Sequence, residues 1–524
     1  MSIRNAGTPR VWARLAASAG IAGSAVALLG CGAHTASAPT SAIGASTRAA
    51  AAGQPVAVAT AVHSGDWPTF DFSAARTGVS PAATGITPAN VGQLSLRRVK
   101  LDGTVDSSAI ELHGLRVRGS PRDVIFVTTT YGKTIALDAK TGGKLWEFVP
   151  RGIGRYQGSA QITTASPVAD PNRGFIYSAS ADGVIHKLAA ASGRQVWSRR
   201  VTFDARHEKL ASALNLSGRW VIVVTGGYFG DIPPYDGHVV TIDSTSGRIG
   251  HVWNTECANR HLLIAASSCA ATNTNGDSAI WARAGAVVEP GSARILLATG
   301  NGPFDGSLNW GDSVLELSAD ASSLLHNWTP KNQAALSRSD ADVGSTAPAL
   351  LPGYHGFSLA VQGGKDGRLH LLNLGRLDGT GGGPGPRLGG ELSEVAAPGG
   401  SAVFSAPAVV RDRGRILLLV ATDGGTTAYQ LVGAGHPRLG VAWARGTPGT
   451  SPVIAGGLLY VYDESDGALT IRVPGSGELL RSLRIGRGHW NSPIVVGGRV
   501  IEPEGDANSH SSSGVLDIFH LRGR

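Results

Sequence analysis

A unit of roughly 35 to 50 residues recurs along the chain from about Ser107, and a recurrence at that period restricts the fold more than any other feature of the sequence. Each unit holds a short strand, often opened by Ser-Pro or Ala-Pro, then a second strand, a glycine-containing turn, a third strand and a fourth carrying Trp. ASPVADPNRGFIYSASADGVIHKLAAASGRQVWS from Ala165 and TSPVIAGGLLYVYDESDGALTIRVPGSGELLRSL from Thr450 show the pattern, with period-two runs separated by Asp-Gly, a favoured hairpin turn. Further openings at Ser107, Ala211, Gly285, Ser345, Ser405 and Asn491 bring the count to about eight, and four antiparallel strands per unit build a propeller blade. The expectation is an all-β, eight-bladed propeller. The 73 Gly and 27 Pro suit its many turns, and a 42% hydrophobic content suits its core.

Trp146, Trp197, Trp253, Trp328 and Trp443 fall at the same late place in five units, where a large aromatic is expected to pack one blade on the next. The last unit ends in VLDIFHL without a fourth strand. DWPTF, Asp66 to Phe70, is expected to supply it and close the ring, since an open sheet edge invites aggregation.

The first 30 residues carry Arg4, Arg10 and Arg14, no acid, and an apolar run too short for a membrane span, which reads as a signal peptide. Its end, LLGC, resembles the bacterial lipoprotein box, implying cleavage after Gly30, lipidation of Cys31 and an extracytoplasmic, membrane-anchored protein. Residues 31–64, rich in Ala, Ser and Thr, read as a flexible tether, and residues 65–524 as the propeller. Away from the reducing cytoplasm, Cys257 and Cys269 are expected to form a disulfide. No CxxCH motif is present, so no haem is expected. The formal charge of +8, three units of it in the signal peptide, and the lack of a basic run interleaved with aromatics argue against a nucleic-acid partner.

Strand parity assigns the loops to faces. With alternating strands A to D, the B–C and D–A loops share one face. That face receives TGGYFGDIPPYDG at Thr225, ATGNGPFDGSLNWGDSVLEL at Ala298, the Cys257 to Cys269 loop, RSDADVGS around Asp340 and Asp342, GGKDG at Lys365, and EPEGDANSHSSSG at Glu502. Loops on a rigid scaffold carry function, so Asn301, Asp305, Asp312, Asp340, Asp342 and Lys365 become candidates; amide and carboxylate oxygens are the donors calcium prefers. Asn301 is equally readable as the Asn of a hairpin turn. Trp310 could cover a planar ligand or plug the channel. His186, His238 and His370 fall on third strands and read as structural.

GDWPTFDFSAARTGVSPAATGITPANVGQL (Gly65 to Leu94) and KTIALDAKTGGKLWEF (Lys133 to Phe148) resemble the opening and first blade of the pyrroloquinoline-quinone dehydrogenases and their propeller relatives, a likeness that extends over the folded body. The resemblance implies quinone and calcium as cofactors. It carries the family's calcium-binding Asn onto Asn301, the acid that serves as base or metal ligand onto Asp342, and the basic cofactor contact onto Lys365. Two departures stand out. The third unit lacks the expected Glu and offers only Asp231 or Asp236, and the family's adjacent cysteine pair is absent. These departures favour a ligand- or partner-binding scaffold with a partly degenerate quinone site; the alternative is a quinone- and calcium-dependent dehydrogenase of an alcohol or sugar.

Overall fold

The computed structural model describes residues 62–269, 277–377 and 387–521. Eight sheets, each built on four antiparallel strands, follow one another in chain order with no strand shared between blades, so the fold is an eight-bladed propeller. Blade 1 runs from Ile110–Val117 to Lys144–Phe148, blade 4 from Val287–Val288 to Leu324–Trp328, and blade 7 from Val453–Ala455 to Leu479–Arg484. Central strands are covered on both faces, as Leu458–Asp463 is at all six positions, because each blade is sandwiched between two others. Outer strands such as Gln195–Arg200 are mostly exposed.

The recurrent tryptophans hold neighbouring blades by a repeated device. Trp146 Nε1 donates to Ala190 O (2.9 Å), Trp197 Nε1 to Ser244 O (3.2 Å) and Trp443 Nε1 to Pro474 O (2.8 Å), each carbonyl lying in the C–D turn of the next blade. The same turns set Gly193, Gly247 and Gly477 against the rings at φ of 69°, 70° and 69°, where a Cβ would lie 2.5 to 2.8 Å from ring carbon. Left-handed backbone and ring contact together require glycine there.

The closing strand is not DWPTF. Leu94–Leu101 lies antiparallel on Gly514–Leu521 along its full length, from Leu94 opposite Leu521 to Leu101 opposite Gly514. Its alternation is masked in sequence by Arg97, Arg98 and Lys100; Arg98 pairs with Asp517 at 3.0 Å. Trp67 instead makes an isolated bridge to Glu111 in blade 1.

From there residues 66–80 form a strap across the ring interior. Pro68 O accepts Ala169 N of blade 2 (2.9 Å), Ala74 O accepts Val288 N of blade 4 (2.9 Å), Thr77 O accepts Val409 N of blade 6 (2.9 Å), and Val79–Ser80 pairs in parallel with Val453–Ala455 of blade 7. Arg76, buried, donates to Leu214 O (2.8 Å), Phe70 O (2.8 Å) and Ala284 O (3.1 Å). The strap turns through left-handed Asp71, Phe72 and Arg76, a cost borne by those bonds.

Candidate functional site at the channel mouth

The described B–C and D–A loops meet at one end of the channel. Asn301 follows strand Ile295–Ala298 of blade 4, but its Asn-Gly step makes no two-residue hairpin: the next strand begins at Val314, and neither residue has positive φ. Glycine is needed at 302 because a Cβ would sit 2.1 Å from Ser278 Oγ. The Asn301 amide donates to Asp340 Oδ1 (2.8 Å), while its own Oδ1 is buried without a partner. Lys365 Nζ lies 2.8 Å from Asp342 Oδ2 and 2.5 Å from Asp340 Oδ1. Burial alone would lower the Lys365 pKa, but the two carboxylates outweigh it and raise it. Asp342 is raised by burial and partly offset by Lys365, and Asp312, buried beside it, stands well above the usual carboxylate range from burial and from Asp342. Asp231 reaches the same field: burial raises it, Lys365 opposes, and the Tyr235 hydroxyl donates to it at 3.1 Å.

Other candidates lie elsewhere. Asp305 folds its own loop, accepting Ser307 N and Leu308 N at 2.8 Å; burial is outweighed by those donors, and its pKa falls to about 2. Asp236 is buried under blade 3, accepting from Thr255 Oγ1 at 2.8 Å. Trp310 neither covers nor plugs the mouth: it is buried in the apolar cluster of blades 3 and 4, edge-on to Phe304 at 5.8 Å. Cys257 and Cys269 form a disulfide, S–S 2.07 Å, in the connection from blade 3 to blade 4. The three histidines are bonded within the blades: His186 to Ser180 Oγ (2.8 Å), His370 to Asp366 (2.9 Å) and buried His238 to Glu208 (3.2 Å). Cys31 lies outside the described residues.

The centre of the mouth is built by residues that the motif search passed over. Trp281, Phe404 and Trp490 touch one another, with centroids 6.0 Å (Trp281 to Phe404), 6.1 Å (Trp281 to Trp490) and 5.1 Å (Phe404 to Trp490, stacked at 14°). Lys365 Nζ stands 5.1 Å from the Trp281 ring centroid and the Arg283 guanidinium 5.5 Å from that of Trp490, within cation–π range. Each aromatic comes a few residues before a first strand, in AIWARAG, VFSAP and HWNSP, so aligning the repeats on their openings would have exposed them.

Beside them Asp106 ties three connections together. Its Oδ1 accepts Arg283 Nη2 (2.5 Å), and its Oδ2 pairs with His489 Nδ1 (2.9 Å) and accepts Ala507 N (2.9 Å). Burial would raise Asp106, yet Arg283 and His489 hold it down to about 2. Asp106, His489 and Asp506 place ligand atoms within 4.8 Å of one another, but Arg283 already supplies the cation there. Lys209, half-buried nearby, is lowered to about 8 by burial and Arg283. Under Phe404 and Trp490 lies a cavity of about 10 Å³, room for one water, bordered by Glu464, whose pKa burial lifts to about 7.

A calcium–quinone pair fits these residues only in part. Asn301, Asp312 and Asp342 each have a buried, unclaimed oxygen, suited to a hard cation. Against that, Lys365 already holds Asp340 and Asp342, and the aromatic trio is in mutual contact where a flat ring would have to enter.

Residues 156–327 match the family model described as "Outer membrane protein assembly factor BamB". Among characterised proteins the chain is 24% identical over 206 residues to quinoprotein alcohol dehydrogenase PedH of Pseudomonas putida, covering 36% of this chain and 34% of PedH. It is 25% identical over 217 residues to polyvinylalcohol dehydrogenase of a Sphingopyxis species, covering 40% and 32%. The chain thus spans about a third of the length of the curated relatives it matches. Quinohemoprotein alcohol dehydrogenase from Comamonas testosteroni superposes with TM-score 0.63 at 16% identity, over 88% of this chain and 81% of that one. A europium-containing methanol dehydrogenase gives 0.63 at 14%, over 87% and 98%. At such identities the structures speak for the fold alone. Residues 156–327 thus match the pyrroloquinoline-quinone-type repeat, and the chain folds as an eight-bladed propeller similar to that of the quinoprotein alcohol dehydrogenases.

Proposed function

We propose that this is an extracytoplasmic, lipid-anchored binding module that uses the loop-rich end of its propeller to hold a partner, with a quinone site that no longer operates. The observation that carries this reading is the closed mouth: Trp281, Phe404 and Trp490 lie against one another where a cofactor ring would enter, and Lys365 neutralises Asp342, which would meet a metal, and its neighbour Asp340. Around blade 3 the same end displays Phe203, Ile232 and Leu262 at 63%, 62% and 60% exposure on three different loops. Large apolar groups left in water at one end of the molecule are what a docking surface offers a partner. These loops are braced: Tyr228 OH donates to Ala205 O (2.9 Å), and Ala258 N to Leu308 O (2.9 Å).

The alternative, a quinone-dependent dehydrogenase, is favoured by the unclaimed oxygens of Asn301 and Asp342. One experiment separates the two. The purified chain is titrated with pyrroloquinoline quinone with and without Ca²⁺, then assayed for dye reduction with alcohols and sugars. The binding-module reading expects no calcium-dependent tight binding and no turnover, together with a defined photocrosslink from position 203 or 262 that Ile232→Asp abolishes. Calcium-dependent binding with turnover makes the protein a dehydrogenase.

A further inference from the structure

The two ends of the propeller differ in charge. The A–B and C–D turns at the end away from the mouth display Arg118, Lys140, Arg194, Arg248, Arg376 and Arg413, from blades 1, 2, 3, 5 and 6, all exposed. None of the six is paired with a carboxylate among the described residues. Three of the acids that share this end are neutralised: Asp138 lies 2.6 Å from Arg122, Asp412 lies 2.6 Å from Arg415, and Asp243 is held by Arg219. The mouth is mixed instead: its B–C and D–A loops carry Asp231, Asp340, Asp366, Asp423, Glu464 and Asp506 alongside exposed Arg151, Arg155, Arg206, Arg260, Arg338 and Arg487. A modest net charge of +8 therefore conceals a basic end and a mixed one.

The chain also enters the propeller at the basic end. Trp67 and Glu111 exchange backbone hydrogen bonds (2.8 and 2.9 Å), antiparallel, so the residues before Trp67 run beside His113 toward the A–B turns. Asp66 accepts His113 N at 2.7 Å and pairs at 2.8 Å with Arg173, which sits in the A–B turn of blade 2. The described chain thus begins, at Val62 to Asp66, on the side of the basic turns.

We propose that this basic end is a docking face for an anionic phospholipid surface, setting the propeller with its turns against the membrane and its mouth away from it. Basic groups within a Debye length of acidic headgroups, about 10 Å at 0.1 M salt, are attracted to them, and such groups spread over five of the eight blades act together. The orientation rests on the anchoring proposed above, the lipid attaching the chain and the face directing it; the charge attraction itself does not.

The test uses full-length chain with Cys31→Ser, which carries no lipid. Co-sedimentation is measured with phosphatidylcholine vesicles and with vesicles containing 30% phosphatidylglycerol, at low and high salt. The expected result is binding to the anionic vesicles alone, weakened at least tenfold at high salt. It is weakened at least tenfold by the set Arg194→Glu, Arg248→Glu, Arg376→Glu and Arg413→Glu, with an unchanged melting temperature. The pair Arg206→Glu and Arg487→Glu, reversing charge at the mouth end, and the pair Arg194→Glu and Arg413→Glu, reversing the same charge at the basic end, are compared directly. Equal loss in both pairs, or equal binding to neutral vesicles, overturns the proposal. So does binding to an anionic oligonucleotide without binding to vesicles, which assigns the face to a different polyanion. Native lipidated chain on phosphatidylcholine vesicles reports the anchor separately, so its failure leaves the result for the face intact.

Discussion

Asn301 carries the sharpest question at the scale of single residues, because its amide is committed to Asp340 while its carbonyl oxygen is buried and unclaimed. Asn301→Ala removes both. A residue serving only its loop predicts a lower melting temperature and unchanged affinity for any ligand of the mouth; a ligand residue predicts the reverse, and Asp342→Ala should follow it. Gly477 offers a cleaner structural case. Ala there must adopt a φ near 69° and place its Cβ 2.7 Å from the Trp443 ring. Left-handed strain of about 1 kcal/mol and a steric shift of similar size add, so Gly477→Ala should cost about 2 kcal/mol in urea unfolding. Substituting Ala at Gly435, which has no neighbour within 4 Å of a Cβ and no left-handed φ, should cost far less.

The connection from blade 3 to blade 4 is an element with its own pH response. Glu256 is raised by burial and by Asp236 and Asp277 to about 9, and Asp236 is raised by burial to about 7. Burial would lower His238, but Glu208 and Asp236 raise it to about 9. For each group the folded chain keeps its proton to a higher pH than the unfolded chain, whose values are 4.5, 3.8 and 6.5. Between pH 4 and 9 the folded state therefore binds more protons, and stability falls as pH rises. His238 contributes fully below pH 6.5 and loses its contribution on passing 9. Denaturant midpoints should drop from pH 6 to pH 9, and Glu256→Gln should flatten the slope by about 1.4 kcal/mol per pH unit for the proton removed. An unaltered slope in that variant would place the dependence elsewhere. Reducing the Cys257–Cys269 bond, which closes a short loop in the same connection, should cost about 2 to 3 kcal/mol and loosen this end first.

What the sequence revealed, and what it hid, divides along these same scales. Blade number and loop faces were readable because short strands punctuated by glycine-containing turns are local signals, and the blades they build share one parity. The closing strand was misread because LSLRRVKL is a polar outer strand, while DWPTF has a buried Trp and looks more like an element. The mouth was half legible: Asn301, Asp340, Asp342 and Lys365 carry recognisable motifs and do meet. Trp281, Phe404 and Trp490 come from three distant connections and become a cluster only when the ring closes.

For the whole molecule, two devices close the ring, and they act differently. Leu94–Leu101 completes blade 8 from outside and removes its free edge. The strap satisfies donors inside: without it Ala169, Val288, Val409 and Ile454 lose the carbonyls that accept their backbone N–H groups. A buried amide without a partner costs about 1 to 3 kcal/mol. Deleting residues 66–80 while keeping 94–101 should thus leave the β-sheet signal present but lower stability by several kcal/mol and admit a hydrophobic dye to the channel. Arg76→Met should show a smaller effect in the same direction, since it leaves the strap's backbone bonds in place and removes only the donors to Thr69 Oγ1 and to the carbonyls of Phe70, Ala213, Leu214 and Ala284, with the charge beside Asp71. Unfolding midpoints of the two variants, ordered wild type above Arg76→Met above the deletion, would identify the strap as an internal brace. A deletion as stable as wild type would mean that the eight blades close on their outer strand alone.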